Sequence, residues 1–384
     1  MEAGFFMDIR ERSRLLGIDL DEKETVGIEK VLETSVSRLY FTDDLVLKVY
    51  QPEHSLIVGL DDPGIRADYL RREMTLGEEI NRGKASIYKG VCRLRFGDDS
   101  EEEAWALVMD RFRDEQRMEA MLRDDQLRSD HVEDAIEAII DFYQRQPALS
   151  EVYDSEMAQA LQREIVPFLR NAFSFDFMTS QLGNVLNLSL VGRIVQKVDS
   201  FLEARQEELR RAAAVFKEEH GDTKITNMYI GNGRVGDENR VYILDALGFD
   251  LKPGAAYASE SGQSFPNEWR VNDLRSALAY FALYFDYYDP DNFSQWLEII
   301  NNKYRQMTEA DLGLDEDPEF WFYLNYRAMV QAKVAAIEAD QARQGGNENL
   351  FTEKKKEAAT LTTKADGYLD MALEKAELDL VYSA

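Results

Sequence analysis

The sequence predicts an α+β fold in two lobes, the first strand-rich and the second mainly helical. Three observations predict it. Between residues 26 and 112, short apolar runs alternate with turn signals, the pattern of strands. Beyond about residue 115 the apolar positions recur every three to four residues, the pattern of helices. One β-like island interrupts the helical part: Asn227–Ile230 and Val241–Asp245, with Gly231-Asn232-Gly233 between them, read as a hairpin. We therefore expect a strand-rich lobe over 1–112, a helical lobe over 113–345 and a C-terminal helical tail over 346–384.

In chain order, the expected strands are Ser37–Phe41, Leu45–Tyr50, Ile87–Arg95 and Ala104–Met109. Thr42-Asp43-Asp44 and Gly97-Asp98-Asp99-Ser100 supply turns between them. A helix over residues 65–82 interrupts the series, its apolar positions 65, 69, 76 and 80 falling at helical spacing. In the second lobe, Val132–Gln144 carries Val132, Ala135, Ile136, Ile139 and Ile140 on one broad apolar face and ends just before Pro147. Further helices are expected over 155–173, 188–216, 273–286, 292–307 and 318–339, and in the tail over 353–380. A cleft between lobes is where a small-molecule site is expected.

The chain has 384 residues, enough for two lobes with a sizeable core, and its 45% hydrophobic content is that of a folded protein. Its 45 basic residues against 73 acidic ones leave a net charge of −28. Phosphate-rich partners need a basic surface, so the balance disfavours nucleic acid and anionic membrane. It serves solubility, and it suits a cationic small molecule. Cys92 is the single cysteine, so no intrachain disulfide can form, and its apolar strand setting reads as a buried structural thiol. His54, His131 and His220 are too scattered for a zinc site. The N-terminus has acids in place of a basic export region, and no stretch approaches 18 apolar residues. We expect a cytoplasmic protein.

The chemistry concentrates around His220-Gly221-Asp222, with Asn227 following at Asp-x-x-x-x-Asn spacing and Asp245 closing the second hairpin strand. A carboxylate base near two oxygen ligands for magnesium is what phosphoryl transfer requires, because that reaction rests on positioning and charge neutralisation. By themselves these residues also fit a polar turn ahead of a hairpin. Lys48 adds a second signal, since it sits within the apolar strand Leu45–Tyr50, where an ammonium needs either solvent or a partner. Glu73, on the following helix, is placed to be that partner.

These stretches together resemble the aminoglycoside phosphotransferase family, whose fold is protein-kinase-like, over roughly residues 25–300. The resemblance is carried by Glu33-Thr34-Ser35-Val36-Ser37, by Lys48-Val49-Tyr50-Gln51-Pro52, by Arg71-Arg72-Glu73, by Ala106–Phe112, by His220–Asn227 and by Leu244-Asp245. It implies Asp222 as catalytic base, Asn227 and Asp245 as magnesium ligands, and Lys48 as phosphate ligand supported by Glu73. It further implies Ser35 and Ser37 in the loop over the phosphates and backbone near Met109 facing the nucleobase. Asp273 resembles a later aspartate that buttresses the catalytic loop. Two stretches depart from the family pattern: Thr223-Lys224-Ile225-Thr226 follows the base, and Ala246-Leu247-Gly248-Phe249 separates Asp245 from Asp250. No Gly-x-x-x-x-Gly-Lys-Ser/Thr and no Ala-Pro-Glu occurs.

The implied activity is an ATP- or GTP- and Mg2+-dependent phosphotransferase acting on a hydroxyl of a small molecule, an aminoglycoside, amino sugar or similar. A nucleotide-binding module with weak or lost catalysis is the second reading, prompted by the two departures.

Overall fold

The computed structural model describes residues 5–7, 28–34, 36–52, 59–96, 103–148, 185–213, 215–231, 239–246 and 271–382, with scattered positions between 149 and 184. The chain is α+β and forms two compact units, one of residues 1–121 with 226–255, the other of 122–225 with 256–384.

The first unit is built on a six-stranded antiparallel sheet. Its strands are β1 (Phe5–Met7), β2 (Lys30–Glu33), β3 (Ser37–Phe41), β4 (Leu45–Tyr50), β5 (Tyr88–Phe96) and β6 (Glu103–Asp110), ordered β1-β5-β6-β4-β3-β2. β1 and β2 have no counterpart in the sequence reading. β2 lies at the edge with all four residues exposed, so no apolar alternation marks it. Helix α1 (Pro63–Ile80) starts where the Asp62 carboxylate accepts from the Gly64 and Ile65 amides, with Pro63 at the first helical position. Its Tyr69 and Leu70 join Val46, Tyr50, Leu107 and Met109 in one apolar cluster. The other sheet face packs Tyr40, Leu45, Leu47, Val49, Cys92, Leu94, Ala106 and Val108.

The hairpin of β8 (Met228–Ile230) and β9 (Val241–Ile243) belongs to this unit and is docked by side chains that bond to its backbone, Asn81, Lys84 and Gln116 among them. Asn81, which caps the C-terminus of α1, donates to the Ile243 carbonyl at 2.7 Å and accepts from the Ile243 amide at 2.9 Å. The buried amide thus pairs with the hairpin as a strand would. Tyr242 and Leu244 complete the fit by entering the sheet's apolar cluster.

In the second unit the main helices are α2 (Ser129–Arg145), α3 (Leu188–Ala204), α4 (Gln206–Ala213), α5 (Leu274–Tyr288), α6 (Phe293–Thr308), α7 (Pro318–Gln344) and α8 (Glu348–Tyr382). The expected helix over 188–216 divides at Arg205, which ends α3 and turns its guanidinium onto Glu319 at 2.8 Å. The tail is a helix, as its composition indicated, and longer than 353–380. The expected helix over 155–173 lies largely outside the described residues. A short pair, β7 (Lys217–Glu218) against β10 (Val271–Asn272), forms the stem from which residues 219–224 emerge.

A half-buried charged knot ties the helix ends together. Arg275 binds Asp273 at 2.6 Å, Asp317 at 2.9 Å and Glu319 at 3.3 Å. Asp273 and Asp317 are themselves the N-caps of α5 and α7. Three carboxylates and two guanidiniums satisfy one another, which is the condition for keeping charges inside. Among the described residues, no helix is long and apolar enough to cross a membrane.

Candidate active site

β4 brings Lys48 into the interior of the first unit, 6% exposed and hydrogen-bonded to Glu73 at 2.8 Å. Glu73, fully buried on α1, also accepts from the Tyr50 hydroxyl at 2.7 Å. Lys48 makes a second ion pair with Asp245. Burial works against the ammonium, but Asp245 and then Glu73 outweigh it, and Lys48 is held well above the usual lysine range. One cation here serves two carboxylates. The interior one is the less well served: burial outweighs the pull of Lys48 and raises the Glu73 carboxyl above its ordinary value.

Asp245 stands just beyond β9 in the left-handed region, at φ 64°. Few residues other than glycine, asparagine and aspartate adopt that conformation. Asn227, half-buried, lies beside it at the open end of the same hairpin, where the Leu244 amide donates to the Asn227 carbonyl at 2.9 Å. An amide oxygen and a carboxylate are hard oxygen donors, the kind magnesium takes in small number while keeping water and phosphate on its other positions. The pair fits that ion. Asp250, weighed in the sequence as a second carboxylate, lies outside the described residues.

The sheet register supplies the surroundings. Leu32, Leu39, Lys48 and Leu107 face one another across β2, β3, β4 and β6, so they form a row on one face of the sheet. The adjoining row on the same face holds Lys30, Phe41, Val46 and Met109. Met109 is opposite Val46 on one side and Tyr88 on the other, with its side chain in the apolar cluster. A cavity of about 900 Å³ opens at the β3–β4 turn, bounded by Phe41, Asp43, Asp44, Asp110 and Arg111 among others. Carboxylates outnumber the cations Lys30, Arg111 and Arg113 in its lining, which suits a neutral or cationic moiety.

Ser37 is buried and bonded to the Thr34 hydroxyl at 3.0 Å. Thr34 in turn accepts from the Ser37 amide at 2.8 Å, folding the turn between β2 and β3. The turn thus contains Ser37 as a bonded, inward group; Ser35 lies outside the described residues.

Asp222 belongs to the second unit, four residues before Thr226 where the chain re-enters the first. It is 8% exposed, and its Oδ2 is 3.0 Å from the Lys224 ammonium. Burial, and next the charge of Asp222, raises the Tyr280 hydroxyl on α5 well above its ordinary value. Next to Asp222, Thr223 donates to the Ala277 carbonyl of α5 at 2.8 Å, anchoring the loop to that helix. The departure after Asp222 therefore has physical employment: Thr223 ties the loop down and Lys224 balances the carboxylate. Preceding the loop, buried Glu219 is held by Arg327 and by Asn272 at 3.3 Å. Asp273, expected to buttress the loop, caps α5 and pairs with Arg275.

The structure brings Lys48, Glu73, Asn227 and Asp245 into one unit and sets Asp222 in the other. Sequence reasoning missed Tyr50, Asn81, Tyr280 and Arg327. A mid-strand tyrosine and a helix-end asparagine carry no linear signal, since their partners lie 23 and 162 residues away.

No family model matches the chain, and no curated protein matches it. Among solved structures, it is similar to a choline/ethanolamine kinase family protein from Mesorhizobium loti, at 10% identity, covering 95% of this chain and all of that one, with a TM-score of 0.43. It is also similar to choline kinase from Cryptosporidium parvum Iowa II, at 10% identity, 93% and 90% coverage and a TM-score of 0.42. A third is the gentamicin–APH(2″)-IIa complex, at 10% identity, 86% and 91% coverage and a TM-score of 0.38. Likeness at this level carries no argument about chemistry, which rests on the residues described above.

Proposed function

We propose that the protein is a phosphotransferase that moves the γ-phosphoryl group of a nucleoside triphosphate to a hydroxyl of a small molecule. The observation that carries the reading is the buried ion pair of Lys48 and Glu73, joined by Asp245 with Asn227 beside it. Burying an ammonium against a carboxylate costs solvation, and substituting well-packed apolar side chains would serve stability as well. A lysine kept charged within an apolar row is suited to an anionic ligand whose other end is flat and uncharged. A nucleotide has that form.

In this reading the apolar sheet face of Leu32, Leu39, Val46 and Met109 lies against the base, and Lys48 meets the phosphates. Asn227 and Asp245 would hold a magnesium ion, which neutralises phosphate charge when bound. Asp222 accepts the proton of the acceptor hydroxyl as its oxygen forms a bond to the γ-phosphorus and the bond to the β-phosphate bridge oxygen breaks. The products are the phosphate monoester and the nucleoside diphosphate. ATP is the expected donor, with GTP the alternative. The acidic balance of the chain suits a cationic acceptor, such as an amino sugar.

The test is turnover of ATP with magnesium over a panel of hydroxyl-bearing metabolites and antibiotics. Asp222→Ala and Asp245→Ala should each lower the rate by at least about 100-fold, the scale of a general base or charge-stabilising group. Nucleotide binding, read as a rise in melting temperature with ATP and magnesium, should survive in Asp222→Ala. Wild-type protein that is stabilised by ATP but never turns it over would leave only a nucleotide-binding module.

A further inference from the structure

In the first unit, the pair of Lys48 and Glu73 and the pair of Asn227 and Asp245 are joined by a residue that belongs to neither. β9 pairs with β8 on one side only. Ile243 and Met228 stand opposite each other, and the bond beside them runs from the Leu244 amide to the Asn227 carbonyl at 2.9 Å. Ile243 therefore occupies a non-hydrogen-bonded position of the ladder, and its own N–H and C=O point to the other edge. Asn81 fills that edge. Its Oδ1 accepts from the Ile243 amide at 2.9 Å, while its Nδ2 donates to the Ile243 carbonyl at 2.7 Å and to the Gly77 carbonyl of α1 at 2.8 Å. Only one orientation of the side-chain amide offers an acceptor to an N–H and a donor to a C=O, so its direction is fixed. Asn81 is 6% exposed, and its loss would leave buried backbone groups of Ile243 without partners.

The result is a closed ring of contacts. Glu73 lies on α1 about two turns before Asn81 and bonds to Lys48 at 2.8 Å. Asn81 holds Ile243, and just beyond it Asp245 returns to Lys48 by an ion pair. Leu244, between Ile243 and Asp245, draws Asn227 in through its amide. Asp245 has a φ of 64°, and a residue other than glycine stays in that region only where its surroundings over-determine it. Here Asn81 fixes the strand that leads into Asp245, and Lys48 fixes its carboxylate. Without Asn81 the end of β9 is free to relax, and Asp245 moves with it.

We propose that Asn81 is a positioning residue of the metal and phosphate site. By fixing β9 against α1 it keeps Asn227 and Asp245 in register with Lys48, so that one magnesium–nucleotide complex engages all three. This role rests on the nucleotide reading of the first unit, and Asn81 exerts it through the Ile243 backbone.

The test uses the full chain as wild type, Asn81→Ala, Asn81→Ser and Leu369→Ala. The last truncates a fully buried side chain of the second unit, and so lowers stability without touching the ring. Mn2+ stands in for Mg2+ and a non-hydrolysable ATP analogue for ATP. Bound Mn2+ is read by electron paramagnetic resonance in the presence of the analogue, and binding of the analogue alone by calorimetry in EDTA. Asn81→Ala is expected to weaken Mn2+ binding by about 10- to 100-fold, the scale of losing a group that orients a metal ligand. Binding of the analogue alone should stay within about threefold of wild type, and Leu369→Ala should leave both unchanged. Should Asn81→Ala fail to fold, Asn81→Ser, which leaves a hydroxyl at the same edge, carries the comparison in the same sense. A folded Asn81 variant with wild-type affinity for Mn2+ overturns the positioning role and leaves nucleotide binding standing. So does an equal loss with and without metal, or an equal loss in Leu369→Ala, since either marks a general loosening. A wild type that takes up no Mn2+ with the analogue overturns the reading of Asn227 and Asp245 as metal ligands, and the role of Asn81 with it.

Discussion

At the scale of residues, the site is a problem of one ammonium and two carboxylates. Lys48 cannot neutralise Glu73 and Asp245 fully, and Glu73 is the one denied solvent. An acid whose carboxyl is raised by burial binds more protons in the folded than in the unfolded chain above about pH 4.5. Its contribution to stability therefore falls as pH rises through the window between its unfolded and folded values. Glu73→Gln removes that dependence. We expect the variant to gain on wild type, in melting temperature, as pH is raised from about 4.5, and equal pH slopes for the two proteins would contradict this. Much of this site was legible from the chain. Lys48 stood out because an ammonium inside an apolar strand needs a reason, and Glu73 because it lay on the next helix. Asp222, Asn227 and Asp245 were marked by spacing. What the chain could not show was the contact between Lys48 and Asp245, 197 residues apart, or that between Thr223 and Ala277, 54 residues apart. Those depend on how distant elements pack.

At the scale of elements, the helix α1 shows how packing reverses a local preference. Alanine is favoured over glycine inside a helix by roughly 1 kcal/mol. At Gly77, however, an added Cβ would run into the Tyr88 hydroxyl and come within 2.5 Å of its ring. Gly77→Ala should therefore destabilise the protein, by about 1–3 kcal/mol as for other overpacked cores. Gly367, in the middle of α8, has nothing within 4 Å of the same added atom. Gly367→Ala should stabilise by up to about 1 kcal/mol. Urea unfolding of the two variants checks the opposite signs. The elements themselves were readable where their apolar period was clean, as in α2, β4 and the hairpin. The strand β2 was not, because an edge strand exposed on both faces has no alternation to read. The break between α3 and α4 was not either, because Arg205 ends the helix for the sake of Glu319, 114 residues on.

At the scale of the whole molecule, the C-terminal helix α8 is a structural member of the second unit. Its Ala358, Leu361, Ala365, Leu369, Ala372 and Ala376 are buried, as are Ala328, Ala332, Ala335, Ala336 and Ala339 of α7. Small side chains on both allow close approach of the two helices. Charged pairs fix the register: Lys364 with Asp286 at 2.9 Å, and Lys197 with Asp366 at 2.8 Å. Removing residues 346–384 would bare the alanine face of α7 and half of a large apolar contact. We expect the truncated chain to aggregate or to melt well below the full chain, measured by light scattering and circular dichroism. A truncation with an unchanged melting temperature would show that α8 is dispensable.

The exposed edge strand β2 has one more effect, on how the protein behaves in a crowded solution. With one side of its backbone facing away from β3, Lys30–Glu33 is the place where a strand from another molecule could add to the sheet. Val31 and Leu32, 48% and 42% exposed, would favour such an addition. Lys30 and Glu33 at its two ends oppose it, since an incoming strand would have to strip water from both charges. The same open edge that leaves Leu32 exposed is thus kept from becoming a seed for self-association by the two charged residues that bracket it.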